Sequence, residues 1–193
     1  MRNIILSVVL MLASAQAFAI QAGDYNLNVG AGALGSRGLV GVSLEKFVTG
    51  NHAISGALGI DLIGPVSTLG YKYFSDKKPV TDSAWDKCFF FLDCDTYFYA
   101  GPSLQYAGAV KSTITESNLV REYQTGSKLL GMLTVGVRNQ FRNNVTMDVE
   151  FTYRSLISGG VSTQTSGAIA DDQRLLEIGY RTGGLGIAVG YVF

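Results

Sequence analysis

The chain has 193 residues, with 15 Lys+Arg against 15 Asp+Glu, 24 Gly, 3 Pro, 2 Cys, 11% aromatic and 16% charged residues. That length suggests one domain, and a formal net charge of zero argues against an electrostatic nucleic-acid binder, which needs excess cations to neutralise phosphates. An apolar, weakly charged composition excludes disorder, and so much glycine beside so many aromatics is unusual for a cytosolic enzyme.

Taken in chain order, the first element is an export signal. Arg2 opens a short basic region, residues 4–13 are apolar, and Ala17-Phe18-Ala19 supplies the small-x-small pattern that signal peptidase accepts. Residues 1–19 are read as a signal peptide cleaved after Ala19, leaving 20–193 as the mature domain. No later stretch offers about 18 uninterrupted apolar residues, so a helical membrane span is excluded.

The mature chain has a period of two, the signature of strands with unlike faces. Tyr25, Leu27, Val29, Ala31 and Ala33 alternate with Asn26, Asn28, Gly30 and Gly32. Residues 30–35 match G-x-G-x-x-G, but that fingerprint must open a helix, and here another strand comes next. Small residues relieving crowding explain the pattern better. Val40, Val42 and Leu44 alternate with Gly41, Ser43 and Glu45; Ile54, Leu58, Ile60 and Leu62 with Ser55, Ala57, Gly59 and Asp61; Leu69, Tyr71 and Tyr73 with Thr68, Gly70 and Lys72.

Residues 75–95 interrupt the series. They contain Cys88 and Cys94, which in an oxidising compartment are expected to form a disulfide worth roughly 2 kcal/mol for so short a loop. Two cysteines without a nearby histidine make a poor zinc set. The fifth strand, Phe98 to Tyr106, contains Pro102, whose missing N–H predicts a bulge or local distortion. Residues 111–126 read as a long polar loop. Leu133, Val135, Val137 and Phe141 then alternate with Thr134, Gly136, Arg138 and Gln140, and Val145 to Tyr153 with Thr146, Asp148, Glu150, Thr152 and Arg154. Asn144-Val145-Thr146 matches a glycosylation sequon by accident of a tight turn. Residues 157–173 form a second long loop, in which Asp171 and Asp172 are too few to define a cation site.

The phase changes between Tyr180 and Leu185, so residues 182–184 are either a bulge or a turn. Leu185 to Phe193 closes the chain with an eighth strand; a turn instead would force a ten-stranded count.

A soluble sandwich and a membrane barrel share this alternation, and three features separate them. The last strand ends on Phe193, connections alternate between tight and long, and aromatics collect at one end: Tyr25, Phe47, Tyr71, Tyr73, Phe98, Phe141, Tyr191 and Phe193. On these residues the chain resembles the small eight-stranded bacterial outer-membrane barrels, such as the OmpA membrane domain, OmpX, the opacity proteins and OmpW. The resemblance covers nearly all of residues 20–193 and is architectural, with no motif that selects one family among them. It implies an all-β, closed, antiparallel, up-and-down barrel in the outer membrane of a Gram-negative bacterium. It further implies contact with lipid and lipopolysaccharide, and Tyr191 and Phe193 as a C-terminal signal for the barrel-assembly machinery.

Glu45, Asp61, Lys72, Arg138, Asp148, Glu150 and Arg154 fall on the inward face, where unpaired charge would cost several kcal/mol each. The 142–144 turn sets Arg138 opposite Asp148, an expected ion pair. A plugged, charge-paired interior is the consequence, since eight strands enclose little more than their own side chains. The expected role is structural or surface-interacting, through long outer loops; the alternative is a narrow conduit for small or hydrophobic solutes. Lipid A-modifying chemistry would need His, Ser and an acid near the outer leaflet, but His52 falls at the opposite end, so no catalytic, metal or cofactor residues are assigned.

Overall fold

A computed structural model of the chain describes residues 21–33, 35–61, 64–75, 87–88, 92–116, 119–141, 143–159, 163–166 and 183–193. The expected signal peptide, Asp171-Asp172 and residues 167–182 lie outside these. Among the described residues the strands are β1 (Tyr25–Ala33), β2 (Val40–Thr49), β3 (His52–Asp61), β4 (Gly64–Phe74), β5 (Lys87–Cys88), β6 (Leu92–Ala107), β7 (Val110–Glu116), β8 (Leu119–Thr125), β9 (Lys128–Phe141), β10 (Val145–Gly159), β11 (Thr163–Ser166) and β12 (Gly183–Val192).

Eight of them close a barrel in the order β4-β3-β2-β1-β12-β10-β9-β6, with β6 returning to β4 and every pairing antiparallel. The eight-stranded, up-and-down reading therefore holds, and ten strands do not. The alternation works inside out: Leu27, Val29, Val42, Leu58, Val135, Val149 and Ile187 are exposed, whereas Asn26, Asn28, Glu45, Arg138 and Asp148 are wholly buried. An apolar exterior around a polar interior is the arrangement of a barrel solvated by lipid.

One end carries the tight connections at Gly50-Asn51 and at 142–144, together with Tyr25 and Phe193. Asn144 adopts φ 62 there, a left-handed conformation that Asn tolerates. We call this the tight-turn end. At the other, β7 and β8 extend β6 and β9 with no slip in register, from Cys94 opposite Phe141 through Ala107 opposite Lys128 to Glu116 opposite Leu119. The expected loop at 111–126 is thus a hairpin. Residues 92–116 give it a contour of roughly 80 Å at about 3.3 Å per residue, against the 9–11 residues a tilted span needs. The second expected loop also contains structure, since β10 runs on to Gly159 and β11 adds to β8 in a three-stranded sheet, order β11-β8-β7.

Two further expectations need correction and a third narrows. The connection at 75–95 is shorter than expected, because Leu92 already belongs to β6 and Lys87 and Cys88 pair with Asp93 and Leu92. At Pro102 the outcome is the local distortion and not the bulge: the β4–β6 ladder lapses between Gly70–Ser103 and Tyr73–Ala100 but resumes in the same register, and Pro102 stays opposite Leu133 on its other side. Gly183 and Gly184 are strand residues, opposite Tyr153 and Thr152. The alternation of connection lengths is also incomplete, since only two residues separate β3 from β4 at the hairpin end.

Candidate functional site: a charge-paired lumen

The lumen is built in layers along the barrel axis. At the tight-turn end, Phe47, Ala53, Phe74, Tyr97, Tyr99 and Val192 form an apolar cluster. Phe47 is therefore a lumen residue and not part of the outer aromatic belt; it shares the parity of Glu45 on β2, which points inward. The rings of Phe47 and Phe74 lie 5.3 Å apart and those of Phe74 and Tyr99 5.2 Å.

Above this cluster sits Arg138, with no exposed surface. Its Nε and Nη2 donate to Asp148 Oδ1 and Oδ2 at 2.7 and 2.6 Å, a bidentate pair set by the direct opposition of the two residues on β9 and β10. Nη2 also lies 2.6 Å from Glu45 Oε2, and the other Glu45 oxygen accepts from Lys72 Nζ at 2.6 Å. Below them the aromatic cluster serves as a π floor: Arg138 lies 4.9 Å from the Phe74 ring centroid, and Lys72 Nζ 4.5 Å from that of Tyr99.

The next layer depends on a residue that the alternation did not reveal. Arg37, in the connection between β1 and β2, is only 3% exposed because its turn folds back into the barrel. Its guanidinium lies 3.2 Å from Glu150 Oε1 and 3.5 Å from Asp148 Oδ2, and its Nε donates to Ser43 Oγ at 2.9 Å. Neighbouring Ser36 Oγ donates to Glu150 Oε1 at 2.5 Å, Tyr99 OH donates to Glu150 Oε2 at 3.2 Å, and Thr68 Oγ1 donates to the Ser36 carbonyl at 2.8 Å. Glycine makes the turn possible. Gly38 has φ +74, and a Cβ at Gly41 or Gly59 would collide with the Arg37 carbonyl oxygen.

Nearer the hairpin end Arg154 Nη1 pairs with Asp61 Oδ2 at 2.5 Å, and a second apolar cluster lies beyond, Val66, Ala107 and Leu130 with Leu156 against it. All seven inward charges named from the sequence are buried, and these ion pairs link every one of them. On the strands named from the sequence, three cations faced four anions, and Arg37 meets the carboxylate left over; Lys128, on the same face of β9 as Arg138, is buried as well and was not named. Beside the ionic layers, Ser36, Ser43, Ser55, Thr68, Ser103 and Thr134 help line a cavity of about 20 Å³, room for about one water.

The remaining named residues lie elsewhere. Phe193 exchanges backbone hydrogen bonds with Tyr25 at 2.9 and 2.8 Å and stacks on its ring at 6.0 Å, while Tyr191 is half-buried between Leu27 and Val145. His52 lies on the outward face of β3 at the tight-turn end. Cys94 lies near Thr96, Sγ to Oγ1 3.9 Å, no cysteine is free among the described residues, and the side chain of Cys88 is outside them.

No protein-family model and no curated protein matches the chain. Among solved structures, a major outer membrane protein from Thermus thermophilus aligns over 88% of this chain and 99% of its own at 15% identity, with a TM-score of 0.40. The N-terminal β-barrel domain of Pseudomonas aeruginosa OprF aligns over 90% of this chain and 100% of its own at 13% identity, with a TM-score of 0.50. That second likeness bears on the fold, which is that of a small outer-membrane β-barrel.

Proposed function

We propose that this chain is a closed outer-membrane barrel that acts through its projecting hairpin rather than through its lumen. The observation that carries the reading is the ion-paired interior: Arg37, Lys72, Arg138 and Arg154 with Glu45, Asp61, Asp148 and Glu150, and an apolar cluster on either side. A conduit for solutes needs an open polar path, and these layers fill the section that eight strands enclose. The hairpin end faces outward, following the rule that short turns are periplasmic, and β7, β8 and β11 contact lipopolysaccharide or an external partner. The likeness to the N-terminal β-barrel domain of OprF supports the barrel fold on which this reading rests.

Planar-bilayer recording on refolded protein tests the closed lumen, with no discrete conductance expected; reproducible unitary steps would sink it in favour of the conduit. Replacing residues 111–126 with a two-residue turn should keep the barrel's heat-modifiable gel migration while abolishing binding to whole lipopolysaccharide or to cells.

Cleavage after Ala19 and engagement of the assembly machinery by the Phe193 strand belong to the same proposal. So does a Cys88–Cys94 disulfide, which the pairing of Cys88 with Leu92 favours by folding the two cysteines onto one short hairpin. Alkylation under denaturing, non-reducing conditions should leave the mass unchanged, and two added labels would refute the bridge.

A further inference from the structure

The outward wall of the barrel is largely apolar, and its charge is confined to one place. Among the described residues of the eight barrel strands, Lys46 is the single charged side chain on the outward face and His52 the single histidine. They are neighbours. Backbone register aligns Tyr25, Lys46, Ile54 and Tyr71 in one row across β1, β2, β3 and β4, and pairs His52 with Tyr73 in the next row toward the tight-turn end. Lys46 Nζ sits 5.5 Å from the centroid of the Tyr25 ring. His52 Nδ1 is hydrogen-bonded to the Tyr71 hydroxyl, and its ring meets that of Tyr73 edge-on at 5.2 Å.

From this cluster we infer a binding site for the phosphodiester headgroup of an anionic glycerophospholipid in the leaflet at the tight-turn end. A lysine pointing into hydrocarbon is costly at the bilayer midplane and nearly free at the interface, so Lys46 marks the headgroup level. Tyrosines prefer that level too, with their rings toward the acyl region and their hydroxyls toward water. An ammonium, an imidazole and three phenolic hydroxyls thus share one small patch at headgroup depth. Toward the hairpin end the same wall continues as exposed Leu27, Leu44, Leu58 and Leu69, apolar surface along which acyl chains lie. That continuity selects a lipid over a free phosphate ion, which would gain nothing from the wall. A zwitterionic choline lipid carries its own cation beside the phosphate, so a net-anionic headgroup is preferred.

The inference rests on the membrane-barrel reading, and its test separates the two. Protein refolded into nanodiscs of equal phosphatidylglycerol and phosphatidylcholine is released in a native mass spectrometer and its retained lipids are counted. Wild type should retain phosphatidylglycerol in preference; Lys46→Gln should retain about fivefold less, the loss expected for one cation near an anionic headgroup. Lys46→Arg, and Tyr153→Phe on the outward face of β10, should match wild type. Equal retention by Lys46→Gln and wild type, no preference between the lipids, or displacement by excess inorganic phosphate would each overturn the site. Gel migration is read in parallel. Wild type that migrates alike boiled and unboiled would sink the barrel itself, whereas a normal shift without lipid preference sinks this inference alone.

Discussion

Arg138 holds two carboxylates at once, Asp148 through two hydrogen bonds and Glu45 through an ion pair, with none of the three exposed. Replacing it by Leu leaves Asp148 with Arg37 at 3.5 Å, and Glu45 with Lys72 at 2.6 Å and the Asn26 amide, which donates at 3.3 Å. Removing one partner of a buried ion pair costs about 3–5 kcal/mol, because the remaining charge keeps its desolvation without its partner. Urea unfolding in lipid vesicles should therefore show Arg138→Leu destabilised by about that amount, with Asp148→Asn added to it recovering part of the loss. An additive double mutant would mean that the two side chains do not act as a pair. Arg138→Lys should not substitute, since an ammonium lacks the planar fork that meets Asp148 at two points.

Among the elements, the seam between β1 and β12 joins the first and last described strands of the barrel, and Phe193 finishes it with two backbone hydrogen bonds to Tyr25 and a stacked ring. Deleting Phe193 removes all three contacts where the barrel must close, so the fraction of heat-modifiable protein recovered on refolding should fall, and an unchanged yield would assign Phe193 no part in closure. The barrel strands are legible in the sequence because lipid on one side and packed charges on the other impose sharp contrast, as in Val145 to Arg154. Beyond the membrane that contrast is no longer required. β7 reads VKSTITE and β8 LVREYQT, and neither has a consistently apolar face, so a continuous hairpin reads as a loop. Arg37 escapes for a related reason: a turn residue carries no strand parity, and only its glycine neighbours and the charge deficit hint that it folds inward. Phe47 is different, since its parity with Glu45 is visible and is outweighed by its place near the end of a strand.

At the level of the whole molecule, charges of opposite sign pair inside while the outward-facing residues are largely apolar, in keeping with a chain that is 47% hydrophobic and only 16% charged. Mobile ions screen only charges they can approach. Raising ionic strength from about 0.1 to about 1 M shortens the Debye length from about 10 to about 3 Å. A sealed interior should leave the urea midpoint nearly unmoved across that range. A marked fall with salt would place the ion pairs in contact with bulk electrolyte.

The unbroken register from Cys94 opposite Phe141 to Glu116 opposite Leu119 also has a mechanical meaning. A load applied at the hairpin tip pulls β6 and β9 along their own length, so it reaches the neighbouring ladders on β4 and β10 as shear. In shear many hydrogen bonds resist together, whereas in peeling they fail one after another. The weaker flank is the one to β4, where the ladder lapses near Pro102. Anything gripping the tip would thus be tethered to the wall as a whole, and under rising force the first rupture should open between β4 and β6.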